Sequence, residues 1–89
     1  MPLVLTDHEP LSERQGFVIF MSAKKLQSVF VTREALEDVE SPPLCSRYRL
    51  EKHLDRFRAI ASEKYERGAI EGDGRIWITS ADIIRWRNF

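Results

Sequence analysis

Over residues 46–89 the apolar positions first recur at helical spacing and then alternate. Leu50, Leu54, Phe57, Ile60, Ala61 and Tyr65 fall on one stripe at about 100° per residue, with Lys52, Asp55, Arg56, Glu63 and Glu66 on the opposite side. Pro42 and Pro43 forbid a helix entering from upstream, Ser46 offers an oxygen to a free N–H of the first turn, and Gly68 supplies the left-handed residue that closes many helices. One long amphipathic helix is therefore predicted over residues 46–68, with Glu63 placed to pair with Arg67 one turn on. The period then becomes two. Residues 69–71 and 75–79 flank Gly72, Asp73 and Gly74, a pattern for a β-hairpin closed by a type I′ turn. In its second arm Ile76 and Ile78 share one face, and Arg75, Trp77 and Thr79 the other. Ser80 is the expected N-cap of a terminal helix over residues 81–86, with Asp82 in its first turn, where a negative charge complements the helix dipole.

The front half reads as strands. Residues 16–22 (GFVIFMS) form a near-continuous apolar run, and residues 26–31 (LQSVFV) form a second, rich in β-branched and aromatic side chains. The short polar connection at Ala23, Lys24 and Lys25 predicts that they pair as an antiparallel hairpin. Thr32 can cap a short helix over residues 33–39, with Ala35, Leu36 and Val39 on one side and Glu34, Glu37 and Asp38 on the other. Residues 1–15 hold one apolar patch and then a polar stretch, read as an irregular arm or an edge strand. The expectation is a single α+β domain: a small antiparallel sheet of three to four strands packed against one long helix, with two short helices.

Composition narrows the picture. A chain of 89 residues with 43% hydrophobic side chains can build one small core. No apolar run of about 18 residues is present for a membrane span, and residues 1–5 lack the features of a signal peptide, so a cytoplasmic location without membrane contact is expected. Cys45, the single cysteine, has no partner for an internal disulfide. Formal net charge is zero, yet residues 1–45 hold four Lys/Arg against seven Asp/Glu (−3) and residues 46–89 hold ten against seven (+3). That separation suits either head-to-tail contact or a plain solvated surface.

A V-I-F strand (residues 18–20), the segment V-F-V-T-R-E-A-L (residues 29–36), helix anchors Phe57, Arg58, Ile60 and Ala61, a K-Y-x-x-G ending (Lys64, Tyr65, Gly68) and the close I-W-I-T-x-x-D (residues 76–82) follow one another. In this order the chain resembles a family of short bacterial proteins catalogued as a domain of unknown function (DUF1488-like). The resemblance implies a compact α+β domain and brings no activity, cofactor or catalytic residue with it. The SPPLCSRYR connection and the NF ending depart from the pattern.

Candidate chemistry is sparse. Zinc sites need about four ligands, usually in close pairs, and His8, Cys45 and His53 are scattered. His8, between Asp7 and Glu9, reads as solvated, and His53 as a boundary residue packed against the sheet. Cys45 precedes a helix that would favour a thiolate, but His53 is two turns away, so both are expected to be structural. The carboxylates Glu37, Asp38 and Glu40 read as a solvated helix end, and the glycines around Asp73 as a turn. No catalytic, cofactor or metal residue is assigned. Two surfaces remain. Arg49, Lys52, Arg56 and Arg67 can form a basic strip for phosphate contact, interrupted by Glu63. Trp77, Ile84, Trp86 and Phe89 form a candidate interface, because Trp77 alternates away from Ile76 and Ile78 and a short terminal helix cannot bury all its large residues on one stripe. A non-catalytic interaction or regulatory module with a protein partner or a second copy is expected first, a nucleic-acid-associated protein second and a small enzyme third.

Overall fold

A computed structural model of the chain describes residues 4–6, 8–22, 25–40, 42 and 45–87. Strands β1 (Val4–Leu5), β2 (Leu11–Glu13), β3 (Gly16–Ser22) and β4 (Leu26–Thr32) are followed by helices α1 (Arg33–Asp38), α2 (Arg47–Lys52) and α3 (Leu54–Glu66), then β5 (Ile76–Ile78) and α4 (Ser80–Arg87). The fold is α+β, as the sequence pattern predicts. β3 and β4 form the antiparallel hairpin, in register from Gly16 opposite Thr32 to Ser22 opposite Leu26. Gly16 is required there: its φ is 153°, and a Cβ would lie 2.1 Å from the Val31 carbonyl oxygen. β1 and β2 lie in tandem along the far edge of β3, both antiparallel to it. The reading of residues 1–15 as an arm or edge strand thus resolves, among the described residues, into two short edge strands.

The sheet is mixed rather than antiparallel, because β5 runs parallel to β4, with Val29 opposite Ile76 and Val31 opposite Ile78. Residues 69–71 join no strand. The turn at Gly72–Gly74 does form, with Gly74 N–H donating to Glu71 O and Glu71 N–H to Arg75 O, each 2.9 Å. Gly74 alone in this turn has positive φ, so the turn is not type I′, which needs positive φ at both central residues. The three helices between β4 and β5 carry the chain back to the start of the sheet, and this crossover is what makes the last pairing parallel.

The predicted long helix is two helices separated at His53, whose ψ of 21° departs from helical values near −42°. The N–H groups of Arg56 and Phe57 both turn to the His53 carbonyl, and α3 starts afresh. Both predicted ends of the run hold. Ser46 caps α2 by accepting from Arg49 N–H at 3.1 Å. At Gly68 (φ 74°), the Gly68 and Ala69 N–H groups return to the Tyr65 and Lys64 carbonyls, a Schellman closure. Thr32 caps α1 as expected. The terminal helix is capped one residue earlier than expected: Thr79 N–H and Oγ1 both donate to Asp82 Oδ2, at 2.9 and 3.2 Å, a box in which the acid reaches back over the first turn. Glu63 approaches Arg85 of α4 at 3.7 Å.

Among the described residues, all four helices pack on one face of the sheet. Ile19, Met21, Val29, Val31, Ile76 and Ile78 meet Ala35 and Leu36 of α1, Leu50 of α2, Phe57, Ile60 and Ala61 of α3, and Ile83 of α4. Polar groups then orient the helical layer. Arg49, 4% exposed, donates from its guanidinium to the carbonyls of Leu36, Glu40 and Pro42 at 3.2, 2.9 and 2.9 Å, closing the end of α1 and the loop after it. Lys64 Nζ donates to Trp77 O at 2.6 Å and to Asp82 Oδ2 at 2.8 Å, tying α3 to β5 and α4. Ser80 Oγ donates to Asp38, joining α4 to α1.

Phe57→Ala should cost about 3–5 kcal/mol in urea unfolding, because it empties a fully buried site at the centre of this layer. A loss below about 1 kcal/mol would show that α3 does not face the sheet through Phe57.

Candidate interaction surface

Alternation along β3 and β4 sends one set of side chains into the helical core and the other set to the opposite face. Directly paired residues share a face, so the registers define its rows. One row runs Leu11, Val18, Phe30, Trp77, and a second contains Phe20 and Ser28. Val4, Ser22 and Leu26 form a third. Seven of these side chains are apolar, although among the described residues no helix lies on this side. Val4, Leu11 and Leu26 are each more than half exposed, and Phe20 and Trp77 are half-buried. An antiparallel sheet with one solvated face ordinarily alternates polar residues onto that face.

Val18 and Phe30 are nevertheless only 2% and 3% exposed. Trp77 packs edge-on against Phe30, with ring centroids 4.8 Å apart. Arg75 Cζ lies 5.8 Å from the Phe30 centroid, and the guanidinium reaches on to Glu13, donating to both carboxylate oxygens at 3.0 Å. The stem and charge of Arg75 thus bridge the two edges of the sheet across its apolar middle. Asp73 accepts from Arg75 N–H at 2.9 Å and Trp77 Nε1–H at 3.1 Å, and these bonds hold its carboxyl below the usual range.

Of the residues predicted for an interface, Trp77, Ile84 and Trp86 do not form one surface. Trp77 lies on this open face. Trp86 packs against the core that contains Ile76 and Ile78, hence on the other side of β5. Ile84 is exposed on α4, and Phe89 lies outside the described residues. Sequence reasoning missed Val4, Leu11, Phe20 and Leu26, whose common face becomes visible once the strand registers are known.

The basic strip is broken by Arg49, which points inward to the carbonyls it caps and so cannot stand beside Lys52 on solvent. Lys52 Nζ is 2.8 Å from Glu40 Oε1. Arg56 and Arg67 are exposed. His53 Nε2 lies 2.8 Å from the same Glu40 oxygen, which places His53 at the layer boundary in a carboxylate contact. Hydrogen bonds from Lys52 and His53 hold the Glu40 carboxyl down to about 2. Burial pushes the half-buried Cys45 thiol up, against the nearby Arg33 charge, the direction opposite to an activated nucleophile. Exposed His8 packs against Phe20 with the rings tilted by 48° and their centroids 5.6 Å apart, and Asp7 lies outside the described residues. A cleft of about 90 Å³ opens where the edge strand is interrupted, between Leu5, Pro10, Phe20 and Leu54. It is smaller than the roughly 300 Å³ at which small-molecule pockets begin. Among the described residues, no group of three or more His, Cys, Asp or Glu side chains could hold a metal ion, and no helix is long and apolar enough to cross a membrane.

Fold and surface together define a small two-layer α+β domain with one apolar sheet face left open. In comparison with known proteins, the chain matches no family model, no curated protein and no solved structure. Several residues of the motifs read from the sequence have structural work: Thr32 caps α1, Gly68 closes α3, and Lys64, Thr79 and Asp82 hold α4 in place.

Burial raises the Asp82 pKa, but hydrogen bonds from Lys64 and Thr79 outweigh it and leave the group lowered. A depressed folded pKa contributes stability above the unfolded value, and that contribution disappears as pH falls through the folded one. For Glu40 the window runs from 4.5 down to about 2. Stability should therefore decline as the protein is acidified across this range, and in Glu40→Gln the decline should be shallower in urea titrations at stepped pH. An identical slope in wild type and variant would remove Glu40 from the account.

Proposed function

We propose that this protein is a non-catalytic interaction or regulatory module of the bacterial cytoplasm that binds a protein through the open face of its sheet. The observation that carries this reading is the set of apolar side chains, Val4, Leu11, Phe20, Leu26 and Trp77 among them, on the face opposite all four helices. Removing such apolar groups from water is worth roughly 25 cal/mol per Å² before the costs of association, and apolar surface gathered on one face marks interaction surfaces. The DUF1488-like resemblance is in keeping with a small domain of this type. A nucleic-acid role loses Arg49 from its strip and Lys52 to an ion pair, which leaves Arg56 and Arg67 as its exposed support.

A photo-crosslinking amino acid introduced at Leu11 should capture a defined protein on irradiation in cells, and one at Arg56, on the outer side of α3, should not. No capture at Leu11, or equal capture at both positions, would overturn the reading.

A further inference from the structure

The occupant of the open face can be argued from its register, resting on the reading of that face as an interaction surface. Phe20 pairs with Ser28, and Leu26 with Ser22, so each large side chain stands beside a small one across the β3–β4 ladder. Consider a two-fold axis running along the strands, midway between β3 and β4 and between two stacked sheets. It places every residue opposite its own ladder partner in the other copy. Phe20 then meets Ser28 of the second copy, Leu26 meets Ser22, and Val18 meets Phe30. A large side chain faces a small one in the Phe20–Ser28 and Leu26–Ser22 rows, as interdigitated layers require, while Val18 and Phe30 meet as two apolar groups. The same axis lays the β2 edge of one copy over the β5 edge of the other, Leu11 against Trp77.

Charge follows the same symmetry. Glu13 and Arg75 stand on the two opposite edges and already meet across the face within one chain, at 3.0 Å. Exchanging edges brings the Arg75 edge of each copy over the Glu13 edge of the other, with the same four-residue offset along the strands that the pair already spans within one chain (Arg75 is level with Ser28, Glu13 with Thr32), so two bridges within chains can become two between them. Phe30 and Val18 would then be covered by apolar side chains in place of a guanidinium. A formal net charge of zero leaves no overall repulsion between copies.

We propose that the open sheet face docks a second copy of this chain, face to face about a two-fold axis along the strands, with Arg75 and Glu13 paired between copies. Four strand positions about 4.8 Å apart and seven residues at about 3.3 Å give roughly 450 Å² of face per copy. The total, roughly 900 Å², lies below the standard range for stable complexes, so the dimer is a reversible one.

Sedimentation equilibrium at roughly 100 µM, a concentration at which a weak complex is populated, tests this on the full chain. Wild type should sediment at up to twice the chain mass. Leu26→Glu, at an exposed position that the fold does not need, should remain folded by circular dichroism and sediment as a monomer. Arg75→Glu and Glu13→Arg should each be monomeric alone, since like charges then meet both within and between chains. Mixed, they should dimerise, because the new acid at position 75 faces the new base at position 13 of the other chain. A monomeric wild type, a dimeric Leu26→Glu, or a mixture of two folded charge variants that stays monomeric overturns the proposal. Capture of a different protein at Leu11 alongside a monomeric wild type overturns the second copy alone, whereas no capture at Leu11 overturns the interaction reading beneath it.

Discussion

Pairing of two seven-residue strands, β3 and β4, is the constraint from which the rest of the structure follows. Their ladder fixes which side chains share a face, and both faces of both strands are apolar over most of their length. The face carrying Ile19, Met21, Val29 and Val31 is met by all four helices and becomes the core. The other carries Val18, Phe20, Leu26 and Phe30 and, among the described residues, has no helical layer. A chain of this length has enough helix to cover one side of such a sheet, and domains of this size bury a smaller share of their surface than large ones.

Apolar burial drives the helices onto the sheet, but it does not select their angles, because hydrophobic attraction has no direction. Direction comes from a few polar side chains. Arg49 is held by three carbonyls at the end of α1 and in the loop beyond it. Lys64 reaches a carbonyl of the outermost strand and the carboxylate that caps α4. Charged groups held in this way add modest net stability, because desolvation offsets attraction, yet removing their partners leaves a buried charge unsatisfied. Their effect is to fix where α1 and α4 lie relative to the sheet.

The open face is partly sealed by the chain itself. Arg75 lies across Phe30 on its way to Glu13, and Trp77 leans on the same ring, so the middle of the face is dry while Val4, Leu11 and Leu26 remain in water. Such a face has two ways to satisfy its apolar surface, its own charged strap or another protein layer. A bidentate pair about one-third exposed is weakly held and screened by salt, so exchanging it for an equivalent pair costs little.

Local physics was legible in the sequence. Thr32, Ser46 and Gly68 end helices through hydrogen bonds made within a few residues, and the helical stripe named Phe57, Ile60 and Ala61 as core because their spacing alone puts them on one side. The β3–β4 hairpin was legible for the same reason, its strands being joined by a short connection. The near-continuous apolar run in β3 also carried the signal of a sheet apolar on both faces, which period-two reasoning about one strand does not separate from an ordinary buried strand. Tertiary structure decided the remainder. Whether β5 pairs with its sequence neighbour or with β4 depends on a crossover of three helices, and local alternation is the same in both cases. Arg49 sits on the polar flank of its helix by spacing, and only the arrival of the α1 end beside it turns the guanidinium inward. Trp77 and Trp86 read from the sequence as parts of one interface, and only the packing of α4 against the helical side of β5 sends Trp86 to the core and leaves Trp77 on the open face.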